Sequence, residues 1–226
     1  MEKEILLTGG RVTSIVTKKG KYVYRPCCKN SPFVHSVLIW IEKRNPVIAP
    51  HFIGIADDGR EITSFLEGNS PNDLGDRPVL QLIEAGKLIS NLHKILSDFP
   101  GCKNSQTVCH NDLSPCNFMF KNDIPYAVFD WDTAAIGDPM DELAYAVWMW
   151  CDIGNREQSK DLARRKVESI MEGYGINNYD ISDKIIEQMY KRYKSSFDLK
   201  GWENFRQWVM DCIEWVEKNR TSLKKG

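Results

Sequence analysis

The chain has 226 residues, of which 42% are hydrophobic and 27% charged, and this composition is typical of a folded globular protein rather than a disordered one. Its 30 basic and 31 acidic side chains give a net charge of −1. No strongly basic field is therefore available to hold nucleic acid, and we expect no nucleic-acid partner.

The sequence also predicts neither secretion nor a membrane segment. The N-terminus lacks the basic start and long apolar core of a signal peptide, and no stretch approaches the roughly 20 apolar residues of a membrane helix. None of the seven cysteines forms a C-x-x-C pair, so neither a disulfide framework nor a zinc site is indicated. We expect a reduced, cytoplasmic protein.

The first third of the chain alternates between strand-like runs and turns. Residues 5–26 predict an antiparallel meander. The apolar spacing in residues 31–45 predicts a helix, with Ser31 as its N-cap and Pro32 at its first position. Residues 51–66 read as two strands joined by an Asp-Asp-Gly turn. Residues 1–66 are therefore predicted to form a small β lobe with one helix, ending in a hinge near 63–68.

The remainder is predicted to be mainly helical. Residues 79–96 carry one apolar stripe of helical period, and residues 116–132 read as a strand, an Asn-Asp turn and a second strand. Further helical patterns cover roughly 139–151, 157–173, 181–197 and 202–219. The fold class is therefore α+β, with residues 67–226 forming a larger helical lobe.

One short polar stretch, "CHNDLSPCNFMF" at residues 109–120, indicates chemistry. It places His110, Asp112 and Asn117 directly before the predicted hairpin, which ends at Asp130. The start of one hairpin strand and the end of the other lie at the same edge, so Asn117 and Asp130 are expected to meet beside Asp112. Carboxylate and amide oxygens are the ligands that Mg²⁺ prefers, and Asp112 would be free to accept a hydroxyl proton. The alternative is that Asp112 and Asn117 only cap turns.

This pattern resembles the protein-kinase catalytic loop H-R-D-x-x-x-x-N and the metal-binding Asp of the next hairpin. The variant "FDWD" with "GDPMDELAYA" after it is similar to the aminoglycoside phosphotransferase and choline kinase superfamily. The resemblance implies a protein-kinase-like bilobal fold, Mg²⁺, ATP or GTP, and transfer of the γ-phosphate to a hydroxyl of a small acceptor.

The resemblance also implies roles for single residues. Asp112 would be the catalytic base, Asn117 and Asp130 would hold Mg²⁺, and His110 would brace the loop. Asp132 would make either a structural hydrogen bond or a substrate contact. A further aspartate, Asp141, would be structural.

In the N-terminal lobe, the resemblance places Gly9 and Gly10 in the loop over the nucleotide phosphates. The kinase-type lysine is missing, and Arg25 stands at the matching place, where its guanidinium could bind phosphate as a fork. Backbone groups of about Ser64 and Leu66, in the hinge, would read the base, which leaves ATP versus GTP open.

The glutamate that usually pairs with the kinase lysine has no clear counterpart. His35 lies near the expected place and Glu42 follows two turns later. Either the ion pair is absent or a different side chain orients Arg25.

The acceptor leaves a weaker trace. Trp148 could belong to an aromatic cage for a cation, or simply to the core. Asp211 and Glu214 share the polar face of the last predicted helix. If that face lines the cleft, it would favour a cationic acceptor such as an amino sugar or an amino alcohol. Otherwise it is the solvent-exposed face of a surface helix.

Two alternatives to a small-molecule kinase stay open. One is a catalytically weak nucleotide-binding protein with a non-enzymatic role, which the missing lysine suggests. The other is a protein-kinase-like enzyme, against which "FDWD", the absence of an A-P-E segment and the short chain argue. The acceptor's identity and the oligomeric state leave no mark in the sequence.

Overall fold

The N-terminal lobe is one antiparallel sheet with a single helix, in a computed structural model that describes residues 3–7 and 15–225. Its elements are β1 (Ile5–Leu6), β2 (Thr17–Lys19), β3 (Tyr22–Arg25), α1 (Ser31–Glu42), β4 (Phe52–Ile55) and β5 (Glu61–Ser64). The strand order is β1-β2-β3-β5-β4, so β3 and β5 are neighbours although α1 and β4 separate them in sequence. Gly9 and Gly10 lie outside the described residues, so their predicted role stays a prediction.

Helix α1 packs one apolar face on the core, where Val34, Val37 and Ile41 are buried. The prediction of Ser31 as its N-cap is off by one residue. The N-cap is Asn30, and the hydroxyl of Ser31, the first helical residue, accepts a hydrogen bond from the Cys28 backbone N–H at 2.9 Å.

The C-terminal lobe contains the remaining helices and three short two-stranded sheets among the described residues. Its elements are α2 (Val79–Leu96), β6 (Thr107–Cys109), β7 (Phe118–Lys121), β8 (Ile124–Val128), β9 (Ala135–Gly137), α3 (Pro139–Trp150), α4 (Lys160–Tyr174), β10 (Tyr179–Asp180), α5 (Ser182–Ser195), α6 (Glu203–Asn219) and β11 (Lys224–Lys225). Strand β6 pairs with β9, β7 with β8 and β10 with β11. The hairpin of β7 and β8 turns at Asn122 and Asp123, which both have positive φ as a tight hairpin turn requires.

Two glycines let α2 and α4 approach each other closely. A Cβ added at Gly86 would lie 2.2 Å from the Ile170 carbonyl oxygen, and one added at Gly173 would lie 2.0 Å from the Ile83 carbonyl oxygen. Any side chain there would push the helices apart. Helix α2 of this pair also contacts α3, β6 and β8, the elements that flank the predicted site.

The hinge is fixed to the C-terminal lobe by backbone contacts. The Asn69 N–H donates to the Phe120 carbonyl at 3.0 Å, and the Phe120 N–H donates back at 2.8 Å. The Tyr126 hydroxyl donates to the Glu67 carbonyl at 2.8 Å. The hairpin of β7 and β8 therefore lies directly beneath the connection between the lobes.

A search of the described helices found none that combines the length and the apolar character needed to span a membrane.

Candidate active site

The loop between β6 and β7 is held from inside by His110. Its imidazole is buried, donates from Nε2 to the Phe129 carbonyl at 2.8 Å, and accepts at Nδ1 from the Asp112 backbone N–H at 3.2 Å. The Trp131 ring packs edge-on against it at 4.8 Å between centroids. This geometry suits the bracing role predicted for His110, because one side chain ties the loop to the end of β8.

A buried glutamate of α3 also holds this loop. Glu142 Oε1 accepts from the Asn111 backbone N–H at 2.5 Å, and its Oε2 lies 2.8 Å from His93 Nε2. Asn111 has φ +63°, a left-handed conformation that asparagine tolerates better than most residues. Asp141, to which we assigned a structural role from sequence, lies outside this network and pairs with Lys184 and Lys191.

Asp112 is held by three donors and still reaches solvent. Oδ1 accepts from the Tyr145 hydroxyl at 2.6 Å and from Arg192 Nη2 at 3.1 Å, and Oδ2 accepts from Asn117 Nδ2 at 3.0 Å. The side chain is 36% exposed. Burial raises the pKa of Tyr145 far above its usual value, with the Asp112 carboxylate adding to the rise, so Tyr145 keeps its proton and remains a donor.

The structure brings Asn117 and Asp130 to the same edge of the hairpin. Asn117 Nδ2 donates to both Oδ2 and the backbone carbonyl of Asp112, the latter at 2.8 Å, which leaves its amide oxygen as the atom for a cation. The Phe129 N–H donates to the Asn117 carbonyl at 3.0 Å. Asp130, the next residue, therefore lies just beyond the end of β8 and close to Asn117. Its carboxylate is 48% exposed. Two hard oxygen donors beside an open cleft fit Mg²⁺, which usually takes its other ligands from phosphates and water.

Arg25 is fixed by a partner that the sequence pattern did not reveal. It lies directly opposite Glu61 in the β3–β5 pairing, and its Nε donates to Glu61 Oε1. The second carboxylate oxygen of Glu61 is 2.6 Å from His35 Nε2. The residue that orients Arg25 is thus Glu61 on the neighbouring strand, while Glu42 lies elsewhere, beside His51.

The outer end of Arg25 faces the C-terminal lobe. Nη1 donates to Asp130 Oδ1 at 3.2 Å, and Nη2 pairs with Asp132. Burial raises the pKa of Asp132 despite the nearby guanidinium. For Glu61, burial also acts to raise the pKa, but the Arg25 charge and the hydrogen bonds from His35 and Arg25 outweigh it and lower the pKa. Asp132 therefore contacts Arg25, one of the two roles that the sequence left open.

In the hinge, part of the backbone is already used by the sheet. The Ser64 N–H donates to the His51 carbonyl at 2.9 Å. Ser64 could thus offer a nucleotide base only its carbonyl oxygen, and any hinge N–H donor must come from a later residue such as Leu66.

The predicted acceptor residues are mostly not at the cleft. Trp148 is 1% exposed and stacks on Trp208 at 5.2 Å between centroids, so of the two roles left open it takes the one in the core. Glu214 is 59% exposed and pairs with Lys218, so of its two alternatives the solvent-exposed helix face is the one observed. Asp211 is half-buried in a small cavity of about 290 Å³ and pairs with Arg156 at 3.0 Å.

Sequence reasoning missed four side chains of this site. They are Glu61, Glu142, Tyr145 and Arg192. Each comes from an element far from the catalytic loop in sequence, and only the strand and helix packing brings it there. Glu142 carried one usable signal, because it is an acidic residue directly before a long apolar run, residues 143–151.

Comparisons with known proteins show what the chain is similar to. A family model described as "Phosphotransferase enzyme family" matches residues 78–174. The trifolitoxin immunity protein of Rhizobium leguminosarum bv. trifolii is 29% identical over 202 residues, which cover 78% of this chain and 76% of that protein.

Two solved structures share the fold over nearly the whole chain. Choline kinase from Cryptosporidium parvum Iowa II has a TM-score of 0.68 at 11% identity and covers 98% of this chain and 90% of its own. The ADP-bound aminoglycoside phosphotransferase APH(2'')-Ib has a TM-score of 0.58 at 13% identity and covers 99% of this chain and 95% of its own. The predicted protein-kinase-like fold is thereby confirmed.

The family match includes the catalytic loop, the hairpin and the helix that carries Glu142 and Tyr145. The chain therefore matches a phosphotransferase family model over residues 78–174 and shares its fold with an aminoglycoside phosphotransferase and a choline kinase.

Proposed function

We propose that this phosphotransferase moves the γ-phosphate of ATP or GTP to a hydroxyl group of a small acceptor in the cleft between its lobes. The observation that carries the proposal is the state of Asp112. Its carboxylate is oriented by Tyr145, Arg192 and Asn117, yet more than a third of it remains exposed. A fixed, accessible carboxylate is what a general base needs in order to take a hydroxyl proton.

The nucleotide would lie on the other side of Asp112. Asn117 and Asp130 would hold Mg²⁺, which when bound neutralises charge on the phosphates. Arg25 would contact the phosphate oxygens, and backbone groups of the hinge near Leu66 would bind the base. Gly9 and Gly10 would cover the phosphates.

The proposed reaction is a single displacement at phosphorus. The acceptor oxygen forms a bond to the γ-phosphorus while the bond from that phosphorus to the β–γ bridging oxygen breaks. The electron pair of the broken bond stays on the nucleoside diphosphate. The acceptor's hydroxyl proton passes to the Asp112 carboxylate, and Tyr145 keeps that carboxylate aligned.

The acceptor class is the open part of this function. Of the two acids of α6, Glu214 pairs with Lys218 on the outer surface and Asp211 pairs with Arg156, so neither favours a cationic acceptor. Amino sugars and amino alcohols therefore belong in the test beside uncharged alcohols. The similarity to a trifolitoxin immunity protein supports a second candidate, the inactivation of a toxin, and adds trifolitoxin to the panel.

The test is a screen of metabolites, antibiotics and trifolitoxin for acceptor-dependent consumption of ATP and of GTP. We expect one chemical class of acceptor to drive consumption. Nucleotide binding without consumption by any acceptor would favour the non-enzymatic alternative. Phosphorylation of a peptide array, with no small acceptor used, would favour the protein-kinase-like alternative.

A further inference from the structure

Arg192 of α5 reaches across the lobe to the catalytic loop. Its Nη2 donates to the Asn111 carbonyl at 2.6 Å and to Asp112 Oδ1 at 3.1 Å. Its guanidinium lies over the Tyr145 ring, with its central carbon 4.6 Å from the ring centroid. One side chain is thus positioned by contacts with two elements other than its own.

The helix that carries Arg192 is itself anchored. Lys184 and Lys191, on the same helix, pair with the carboxylate of Asp141 at 2.6 Å each, and Lys184 also reaches Asp138 at 2.9 Å. These pairs tie α5 to the start of α3 independently of Arg192. Helix α5 would therefore stay attached to α3 if Arg192 were replaced.

No other basic side chain among the described residues contacts the Asp112 carboxylate as Arg192 does. The loop from His110 to Asn117 contains no lysine or arginine, and Arg25 approaches from the N-terminal lobe, where it contacts Asp130 and Asp132. Within the part of the chain that the structure describes, Arg192 is the one cation with an ion pair to Asp112.

We propose that Arg192 is a catalytic residue that binds an oxygen of the γ-phosphoryl group during its transfer. This inference rests on the proposed function. Oδ1 of Asp112 already accepts from Tyr145 and Arg192, so an acceptor hydroxyl would bond Oδ2 at about 2.7 Å. The acceptor oxygen, and the phosphorus that becomes attached to it, would then lie beside the same carboxylate that Arg192 contacts at 3.1 Å, so the phosphoryl oxygens would pass next to the guanidinium.

The donor count of the side chain supports this role. A guanidinium has five N–H donors in a rigid fork, and the two contacts to Asn111 and Asp112 both use Nη2. The side chain is 33% exposed, and neither contact to the loop uses Nε or Nη1. In phosphoryl transfer an arginine on the equatorial oxygens stabilises the charge of the transition state.

The test uses calorimetry of Mg-ADP with and without aluminium fluoride, which stands in for the phosphoryl group in flight. We expect the wild type to bind Mg-ADP more tightly when aluminium fluoride is present. Arg192→Gln should bind Mg-ADP alone as the wild type does but lose about tenfold to a thousandfold of that enhancement. Added guanidinium ions should restore part of the loss in Arg192→Ala, which a purely structural role would not allow.

The matched control is Lys191→Gln on the same helix, which should keep the full enhancement. An unchanged enhancement in Arg192→Gln would overturn the inference and leave the nucleotide site standing. If Arg192→Gln fails to fold, a wild-type enhancement in Arg192→Lys would overturn it instead, because lysine lacks the planar fork. A wild type that does not bind Mg-ADP at all would contradict the proposed function itself.

Discussion

At the scale of single residues, Asp130 combines an exposed carboxylate with a left-handed backbone, φ 64° and ψ 59°. Asparagine accepts the same conformation, so Asp130→Asn removes the charge and keeps the geometry. We expect the affinity for Mg-nucleotide to fall by about tenfold or more, at least about 1.4 kcal/mol, as measured by calorimetry. Asp123→Asn, at the far turn of the same hairpin, is the control, and equal affinity in Asp130→Asn would remove Asp130 from the metal site.

Arg25 touches three carboxylates and points its fork at the cleft. We expect Arg25→Ala to raise the nucleotide KM, because the phosphates lose a charged donor, and Arg25→Lys to recover part of that loss since it keeps the charge. Steady-state kinetics with varied nucleotide measures both. A nucleotide-bound structure with Arg25 directed at solvent would show that this assignment is mistaken.

Glu61 links the site to the acid stability of the protein. Its pKa in the folded state is lowered from about 4.5, so its contribution to the free energy of unfolding is complete above that pH and disappears as the pH falls through the lowered value. Glu61→Gln should be less stable at neutral pH and lose less stability on acidification below about pH 4.5. Urea unfolding over a pH series tests this, and parallel curves for the two proteins would refute it. The pKa of Asp132 is raised in the folded state, so its contribution to the free energy of unfolding changes with pH in the opposite direction. Asp132 is present in both the wild type and Glu61→Gln.

At the scale of elements, neighbouring acidic residues of α3 do different work. Glu142 is buried and joins the catalytic loop to His93 on α2, whereas Asp141 pairs with two lysines nearer the surface. Glu142→Ala leaves the Asn111 N–H and the buried His93 imidazole without their partner, so we expect a loss of about 1–3 kcal/mol in stability and reduced turnover. Asp141→Asn should cost about 1 kcal/mol or less. Thermal melting of both variants measures the two losses of stability, and equal losses would contradict the different roles of Glu142 and Asp141.

The elements themselves were largely predictable. Apolar spacing predicted α2 at residues 79–96, and the Asn-Asp turn predicted the β7–β8 hairpin, because helical and strand periods and turn residues are local properties. The sequence predicted Ser31 as the N-cap of α1, whereas the N-cap is Asn30. The Ser31 hydroxyl instead accepts from the Cys28 backbone N–H, a contact that the residue pattern does not reveal. The pairing of Arg25 with Glu61 depends on β5 lying beside β3, a contact between distant segments that no local pattern encodes.

At the scale of the whole molecule, the two lobes meet through polar contacts around the cleft. Arg25 spans to Asp130 and Asp132, and the Asn30 amide donates to the carbonyls of Asp132 and Ala134 at 3.0 and 2.9 Å. These contacts bring Arg25 of the N-terminal lobe onto the end of the β7–β8 hairpin. The spacing of Asp112, Asn117 and Asp130 predicted that these three residues meet, and the structure brings them to one edge of the hairpin, while their roles stay predictions.

The side chains that hold the Asp112 carboxylate were not predictable in the same way. Tyr145 comes from α3 and Arg192 from α5, so their approach to Asp112 depends on how distant helices pack. A polar helix face looks the same in sequence whether it borders a cleft or bulk water, which is why the sequence left the place of Glu214 open and gave no sign of Arg192.

The central claim, that Asp112 is the base of a phosphotransferase, is tested most directly by comparing Asp112→Asn with the wild type on the identified acceptor. Turnover, nucleotide affinity and melting temperature would be measured together. We expect turnover to fall by about 10²–10⁴ while nucleotide affinity and melting temperature stay near those of the wild type. An Asp112→Asn protein that phosphorylates the acceptor at the wild-type rate would contradict the account.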